Sequence, residues 1–445
     1  MRRYVAALWL LIGCAAAGGA PQEIDGRATI PDAIVDVAAG PDLGFHAAIE
    51  AGVDVQVIED RQDVTAAEAG LDAGVPDAGV DGGFAEVGLD APTAPDVATS
   101  RTVLRVHYPV GARALSLRGD LAGLSWERGV SLTRVTADVW EWSSDGVARS
   151  FEWKPLLDDR EWSLGSNYRA TPGATLDIYP RFVTRSGRWS RAIPAFRSTV
   201  LGNERGVWIY LPPAYDENPT ARFPVVYMHD GQNLFNPATA FGGQPWYAQD
   251  ALNQGADSGA IREAIIVGVE NTAERINEYT PTRDAGRMTG GRGELYLRML
   301  VEEVKPLIDR SYRTLPGRAD TVLMGSSLGG LISTWAGVRR GDVFGHIGAL
   351  SPSTWWDDRM LLRESATLRG LATRPLRIYI DSGDAGDSRD GVADTAMLAD
   401  VVRAAGYRDG ADLRYVVQAG ATHNEVYWAQ RLPGALAFLL GRRDP

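Results

Sequence analysis

The stretch LMGSSLGGLIS, residues 323–333, joins two kinds of sequence pattern. A short apolar run ends in Gly-Ser-Ser-Leu-Gly-Gly and passes directly into a pattern with helical spacing. One interpretation is a tight strand-to-helix turn of an α/β protein, where glycine relieves crowding. The other is a nucleophile elbow, G-x-S-x-G, in which Gly325 and Gly329 flank Ser327. The five residues alone do not separate these alternatives.

The chain around this stretch alternates strand and helix signals from residue 196 to residue 445. The runs GVWIYLPP, FPVVYMHDG and EAIIVGV are typical of buried strands, and GELYLRMLVEEVKPLIDRSY has apolar residues at helical spacing. The alternation continues after the elbow to a final helix from about residue 424. Strands that alternate with helices predict a mostly parallel sheet with helices on both faces.

Residues 101–195 have a different pattern. Runs such as TVLRVHYPV and VWEWSS alternate at period two, and Gly and Asp clusters separate them. This predicts a small β-sandwich. It would carry six tryptophans: Trp126, Trp140, Trp142, Trp153, Trp162 and Trp189. Trp140 and Trp142 share one face of a strand, where they are either exposed for stacking on sugar rings or buried in the core.

Residues 15–100 are predicted to be a disordered acidic linker. They hold 17 acidic residues against two arginines, with no Trp, Tyr or Lys. Such a composition cannot bury enough apolar surface to offset the entropy of ordering, and its irregular acid spacing argues against calcium loops. The net charge of −12 is therefore concentrated there, since residues 101–445 hold 40 acids and 41 bases. The sequence has no stripe of basic residues, so nucleic-acid binding is not predicted.

The only cysteine is Cys14, which excludes an intramolecular disulfide. Residues 1–14 have two arginines, a short apolar run and Leu-Ile-Gly-Cys, as in a signal peptide. The last four residues resemble a bacterial lipobox, and the alternative is an ordinary signal peptide with an incidental cysteine. The resemblance implies lipidation of Cys14 and a lipid-anchored protein of the bacterial cell envelope, at the outer membrane or facing the periplasm.

A serine nucleophile needs a base, and the chain has five histidines. In a hydrolase with this elbow, the acid and then the histidine follow the serine along the chain. His346 comes too soon after Ser327 to leave room for an acid-bearing strand. His423 follows the last predicted strand and is therefore the predicted base.

The acid should follow the penultimate strand, in IYIDSGDAGDSRDG. This loop offers Asp381, Asp384, Asp387 and Asp390. We predict Asp384, because it lies just beyond the strand end, with Asp387 as the alternative. Its role would be to orient the imidazole and stabilise the imidazolium.

The oxyanion hole needs two backbone N–H donors. Leu328, directly after the nucleophile, would supply one, and Gly231 or Gln232 in MHDGQNLF would supply the other. His229 and Asp230 in that loop suggest a metal, but no third ligand has suitable spacing, so no metal or other cofactor is predicted.

The segments YMHDGQNLF, MGSSLGG, SPSTWW, IDSG and HNEVYWAQRLP together resemble the putative esterase family of α/β-hydrolases, which includes enterochelin esterases, S-formylglutathione hydrolase, feruloyl esterases and mycolyltransferases. The resemblance covers roughly residues 200–440 and implies an α/β-hydrolase fold with Ser327 as nucleophile and His423 as base. Residues 101–195 resemble the immunoglobulin-like modules of enterochelin esterases and starch-binding modules.

The sequence therefore predicts a lipid-anchored serine esterase acting on siderophore or carbohydrate esters. Trp355 and Trp356, after a strand near the active-site edge, are predicted to line the acyl or alcohol pocket. The alternatives are an acyltransferase of the same fold and a carbohydrate-binding lipoprotein with an inactive hydrolase domain.

Overall fold

The computed structural model describes residues 101–121, 123–363 and 376–441. The predicted signal peptide with Cys14 and the acidic segment 15–100 lie outside these ranges. The fold class predicted from the sequence is confirmed, because a β-sandwich precedes a mixed eight-stranded sheet with helices on both faces.

The sandwich consists of two antiparallel-rich sheets that enclose one apolar core. The first sheet has the order β4-β5-β1-β9, and the second has the order β3-β2-β6-β7 with β8 paired to β6. The strands are β1 Thr102–His107, β2 Leu115–Gly119, β3 Val130–Ser131, β4 Thr133–Arg134, β5 Val139–Ser144, β6 Phe151–Leu157, β7 Glu161–Trp162, β8 Tyr168–Ala170 and β9 Thr175–Ile178. Leu104 of β1 and Trp153 of β6 are fully buried in this shared core.

The large sheet has the strand order β10-β11-β13-β12-β16-β17-β18-β19. All neighbours from β13 to β19 in this order are parallel, whereas β11 is antiparallel to β10 and to β13. The strands are β10 Arg188–Arg197, β11 Glu204–Leu211, β12 Val225–His229, β13 Ile265–Val269, β16 Thr321–Ser326, β17 His346–Leu350, β18 Arg377–Gly383 and β19 Leu413–Gln418; a separate hairpin pairs β14 Arg283–Asp284 with β15 Thr289–Gly290. The central strands are continuous apolar runs because both faces are covered.

The helices are α1 Pro213–Glu217, α2 Ala248–Asp257, α3 Arg275–Glu278, α4 Gly293–Arg298, α5 Lys305–Ser311, α6 Leu328–Arg339, α7 Trp356–Arg363, α8 Val392–Ala404 and α9 Glu425–Leu440. A π-helical stretch, Met299–Val304, joins α4 to α5 just before Pro306. Because proline lacks an N–H, the wider turn accommodates an interruption that would otherwise kink the helix. In the described ranges, no helix has both the length and the apolar character needed to cross a membrane.

The boundary between the two domains lies earlier than the predicted residue 195. Strand β10 begins at Arg188 and pairs with β11 as the edge strand of the large sheet. Trp189 therefore belongs to the hydrolase domain, where its ring stacks on Phe235 at 5.6 Å. Most of β10 is exposed, so it has little of the apolar alternation by which a strand is assigned from sequence.

The sandwich contacts the hydrolase domain at the amino-terminal edge of the parallel strands. Arg181, which follows β9, donates to Glu263, two residues before β13, at 2.6 Å. The Tyr108 hydroxyl donates to Glu217 of α1 at 2.9 Å. The carboxyl-terminal edge lies at the other end of these strands, about 17 Å away for a five-residue strand such as β12. The loops that carry the predicted site residues all leave from that carboxyl edge.

Candidate active site

Ser327 occupies a strained turn between β16 and α6. Its φ and ψ angles are 57° and −123°, which few non-glycine residues adopt. The Ser327 N–H donates to Leu350 O at 3.0 Å, and its side chain is partly exposed. A β-carbon at Gly325 would lie 2.8 Å from His229 Cδ2, so only glycine fits there. This is the geometry of a nucleophile elbow, which projects the hydroxyl above the sheet edge.

A second serine lies beside this hydroxyl. Ser353, which follows β17, has its Oγ 3.3 Å from Ser327 Oγ, and its N–H donates to Ser327 O at 3.0 Å. Ser353 is buried. These two contacts hold the backbone and hydroxyl of Ser327 against the loop after β17.

His423 lies in the loop between β19 and α9, next to the helix N-terminus. Asn424 caps α9, because its side chain accepts hydrogen bonds from the N–H groups of Val426 and Tyr427. The His423 ring packs edge-on against Trp428 at a centroid distance of 5.0 Å. The Nδ1–H donates to Asp390 Oδ1 at 2.6 Å. The imidazole is thereby oriented by a carboxylate, as a general base requires.

Asp390, not the predicted Asp384, is the carboxylate that contacts His423. Its side chain is buried, and its second oxygen accepts from Ser351 Oγ at 2.6 Å and from the Gly383 N–H. Burial alone would raise the pKa of Asp390, but these hydrogen bonds, led by the one from His423, lower the pKa below its ordinary value. The carboxylate therefore stays ionised beside the imidazole.

Asp384 and its alternative Asp387 point elsewhere. The Asp384 carboxylate accepts from the Gly420 N–H at 2.7 Å, which ties together the loops after β18 and β19. Asp387 is exposed. The chain between them and α8 makes a left-handed turn, with φ of 49° at both Arg389 and Asp390, and this turn brings Asp390 back over the strand end. The Asp-Gly pair at 390–391, which favours such turns, is the sequence signal for it.

The loop after β12 presents backbone N–H groups at the same edge. Asp230 has a φ of 55°, and Gly231 begins a single 3₁₀ turn with Gln232. The first N–H groups of such a turn have no acceptor within it, and the same is true of Leu328 at the start of α6. Both carboxylate oxygens of Asp230 accept from Arg275 at 2.8 Å. The turn carrying the predicted donors is thus held by an ion pair whose carboxylate is buried and whose guanidinium is partly exposed.

His229 has a structural role beneath this loop. It is fully buried and bonded to Tyr296 Oη at 2.9 Å and Ser333 Oγ at 3.0 Å. Burial lowers the pKa of His229 to about 3, so the ring is neutral. Within the described ranges, no cluster of three or more His, Cys, Asp or Glu side chains is arranged to hold a metal ion.

The two tryptophans predicted to line the pocket have different environments. Trp356 is buried, and its Nε1–H donates to Thr282 O at 3.0 Å, so it is part of the core and not of the pocket. Trp355 is 40% exposed, and the Arg287 guanidinium lies 4.7 Å from its ring centroid. Trp355 is two residues from Ser353, which contacts Ser327. Of the two tryptophans, Trp355 alone has an exposed side chain.

Comparisons with known proteins bear on what this arrangement does. A family model described as "Putative esterase" matches residues 198–439. The chain is 27% identical over 252 residues to the uncharacterized protein YbbA of Bacillus subtilis, which covers 54% of this chain and 94% of that protein. It is 27% identical over 185 residues to the ferri-bacillibactin esterase BesA of Bacillus subtilis, which covers 37% and 61%. The enterobactin esterase Fes from Shigella flexneri, a solved structure, is 17% identical with a TM-score of 0.44, and the match covers 76% and 92%.

Proposed function

This chain belongs to the putative esterase family and is a carboxylic ester hydrolase, and we propose that Ser327, His423 and Asp390 form its catalytic triad. The Ser327 hydroxyl attacks the ester carbonyl while His423 accepts its proton. The imidazolium then donates that proton to the departing alkoxide. Water, deprotonated by the same imidazole, attacks the acyl-enzyme, and the carboxylic acid leaves while Ser327 recovers its proton.

The negative charge that develops on the carbonyl oxygen requires fixed donors. We assign this role to the N–H of Leu328 together with that of Gly231 or Gln232. The N-terminus of α6 adds a favourable dipole at the same point. Such donors are worth about 10²–10³ in kcat each.

One observation carries the proposal: a serine with φ of 57° and ψ of −123° on the strand-to-helix turn, at the edge where a buried carboxylate orients a histidine. The test is hydrolysis of p-nitrophenyl acetate by the purified protein and by Ser327→Ala. We expect that variant to lose about 10⁴–10⁶ in kcat, because no other group replaces the nucleophile. Ser326→Ala, at a buried neighbour outside the elbow position, is the matched control and should stay active. Near-normal activity of folded Ser327→Ala would refute the triad.

For the natural substrate we propose an ester of a siderophore or of a carbohydrate. The relative BesA is named for ferri-bacillibactin, which supports the first class. The exposed Trp355 with Arg287 over its ring offers an aromatic surface with a positive charge near the nucleophile. Comparison of kcat/KM on a catecholate ester, a feruloylated xylo-oligosaccharide and p-nitrophenyl acetate distinguishes the classes.

A second candidate function, carbohydrate binding by the sandwich, is favoured by a different tryptophan pair from the one that the sequence indicated. Trp140 is buried and Trp142 packs against the core. Trp126 and Trp162 are instead 37% and 38% exposed, with ring centroids 6.2 Å apart and planes at 42°. Flat exposed indoles of this kind suit stacking on sugar rings.

Arg118 holds this pair in place. It donates to Trp126 O at 3.0 Å and to Asp159 Oδ1 at 2.9 Å, and its guanidinium lies 5.3 Å from the Trp162 ring centroid. Because the sandwich contacts the amino edge of the sheet, its ligand would be held away from Ser327. We therefore expect this surface to retain the enzyme on a polymer without affecting the chemical step.

The test is binding of the protein to insoluble xylan, starch and cellulose. Trp126→Ala and Trp162→Ala should each reduce retention on the polymer that the wild type binds, with unchanged kcat/KM on p-nitrophenyl acetate. Trp189→Ala, at an equally exposed indole outside the sandwich, should not reduce retention. Equal retention of all variants would reject the carbohydrate site.

We also propose that the enzyme is anchored to a bacterial envelope membrane through a lipidated Cys14, followed by the acidic tether of residues 15–100. The support is the lipobox-like sequence alone. Cys14→Ser should move the protein from the membrane fraction to the soluble fraction. Unchanged sedimentation with membranes would place the anchor elsewhere.

A further inference from the structure

A second buried carboxylate lies behind the proposed triad. Asp381, on β18, is fully buried, and its Oδ1 accepts from the Ser351 N–H at 3.0 Å. Its Oδ2 lies 3.0 Å from Arg431 Nε, at an angle outside hydrogen-bond geometry, so the contact is an ion pair. Arg431 projects from α9, two turns after His423, and is itself buried. The triad chemistry assigns no role to this pair.

Arg431 also reaches the triad carboxylate. Its Nη2 lies 3.8 Å from Asp390 Oδ2 and donates to Ser351 Oγ at 2.8 Å. The same Ser351 hydroxyl donates to Asp390 Oδ2. The buried Arg431 guanidinium thus lies close to the buried carboxylates of both Asp381 and Asp390. The Ser351 hydroxyl also links it to Asp390 through hydrogen bonds. A charge in such a site interacts strongly because water is excluded.

We propose that Arg431 is a positioning residue that divides its charge between Asp381 and Asp390 and thereby sets how strongly Asp390 stabilises the His423 imidazolium. This inference rests on the proposed triad. When Asp381 is ionised, part of the Arg431 charge is neutralised, and Asp390 acts on His423 with most of its negative charge. Without Asp381, Arg431 acts on Asp390 alone and weakens its effect on the imidazolium.

Other charged or titratable groups surround this network and stay constant in the test. They are Tyr379 on β18, Arg414 and Tyr415 on β19, Glu425 on α9, Arg389 in the loop after β18, Asp230 after β12, and its ion-pair partner Arg275 on α3. Burial raises the pKa of Asp381, opposed mainly by Arg431. An Arg431 variant would therefore also let Asp381 take up a proton, which makes Asp381→Asn the cleaner change.

The experiment is the pH profile of kcat/KM for p-nitrophenyl acetate, whose acid limb reports protonation of the free enzyme's base. Asp381→Asn should move the acid limb to lower pH by about 0.5–1 unit. A shift of this size is typical when one charge interaction in a buried site changes, here that of Arg431 with Asp390. Arg431→Met should move it to higher pH. Arg431→Lys keeps the charge but not the fork, so its limb should stay in place while kcat falls. The double variant Asp381→Asn/Arg431→Met should return the limb towards the wild-type position.

Shifts of opposite sign in the two single variants support the proposal. Lower activity and melting temperature with an unmoved limb, or two shifts of the same sign, would show that the pair only stabilises the fold. If Arg431→Met does not fold, Asp381→Asn and the double variant still decide, since neither leaves an unpaired buried carboxylate. Failure of the triad itself is distinguishable, because Ser327→Ala would then remain active.

Discussion

The two edges of the eight-stranded sheet are built differently. After β12, β16, β17 and β18, the chain leaves the carboxyl edge through residues with positive φ: Asp230, Ser327, Ser351, and Arg389 with Asp390. In the described loops that lead into the amino ends of these strands, no non-glycine residue has a positive φ. Strained backbone is tolerated only where surrounding contacts fix it, and it concentrates at functional sites. At the carboxyl edge, therefore, this fold maintains strained backbone conformations that cost stability but fix the positions of side chains.

The amino edge carries matched charges instead. The Glu217 carboxylate accepts hydrogen bonds from Tyr108 Oη and from three backbone N–H groups, those of Phe182, Val183 and Thr184. It therefore provides acceptors for the N–H groups of the segment that joins the sandwich to β10. Hydrogen bonding there lowers the pKa of Glu217, although burial opposes it. One edge positions reactive groups, and the other holds two domains together. Variants at the two edges should therefore change different measurements.

Among variants that keep Ser327, the largest effect is expected at Asp390, the proposed triad acid. Asp390→Asn should lower kcat by about 10³–10⁴, because the amide does not stabilise the imidazolium or hold the required tautomer. Asp384→Asn, with its carboxylate bonded to the Gly420 N–H, should stay within a few-fold of wild type. Steady-state kinetics on p-nitrophenyl acetate measure both. If Asp384→Asn loses activity while Asp390→Asn stays active, the triad acid is Asp384 and not Asp390.

At the amino edge, stability should change and chemistry should not. Arg181→Met leaves the partly buried Glu263 carboxylate, 18% exposed, without its cation, so the free energy of unfolding should fall by about 1–3 kcal/mol. The kcat/KM for a small ester should be unchanged. Arg188→Met breaks a pair with Asp216 whose side chains are 60% and 55% exposed, and should cost under about 1 kcal/mol. A strong loss of kcat in Arg181→Met would show that the edges are coupled.

At the carboxyl edge, variants of the two neighbouring tryptophans should also affect different measurements, one ester preference and the other stability. Trp355→Ala should lower kcat/KM for an aromatic acyl ester relative to the acetate by about tenfold, the scale of one lost apolar pocket contact. Trp356→Ala should instead destabilise the fold by about 3–5 kcal/mol through the cavity it leaves. Paired kinetics and chemical denaturation check both. A changed ester preference in Trp356→Ala alone would reverse the assignment.

The last effect concerns the pH dependence of stability through His229. Burial lowers its pKa to about 3, below the unfolded value of about 6.5, so the unfolded chain binds the extra proton between these limits. Stability is thus fully present above about pH 6.5 and falls by up to about 1.4 kcal/mol per unit as the pH drops towards 3. Urea unfolding between pH 7.5 and 5 measures this slope. His229→Gln should flatten it, and His107→Gln in the sandwich should not. Equal slopes in all three proteins would contradict a neutral buried ring.

The sequence predicted what depends on local pattern. The elbow at Ser327 and the loop of His423 follow from strand-to-helix alternation and chain order, and the structure places both residues at the carboxyl edge. The acid does not follow from such a pattern, because a left-handed turn at Arg389 and Asp390 selects it. Its position depends on tertiary contacts with His423 and Ser351.

The remaining differences also come from packing. Trp355 and Trp356 are identical residue types in neighbouring positions, so the sequence does not distinguish them. The tertiary contact with Thr282 shows that Trp356 is the buried one. The exposed strand β10 lacks the apolar alternation that would identify it, so the sequence pattern does not show that Trp189 belongs to the hydrolase domain. The pair of Asp381 and Arg431 is 50 residues apart in the chain, and nothing in the local sequence connects them.

Peptide mapping by mass spectrometry after reaction with a fluorophosphonate tests most directly whether Ser327 is the nucleophile. We expect one phosphonylated residue, Ser327, with esterase activity lost in proportion to labelling. Ser326→Ala should label normally, and Ser327→Ala should not label. Stoichiometric labelling of another residue, or full esterase activity in protein labelled at Ser327, would contradict the account.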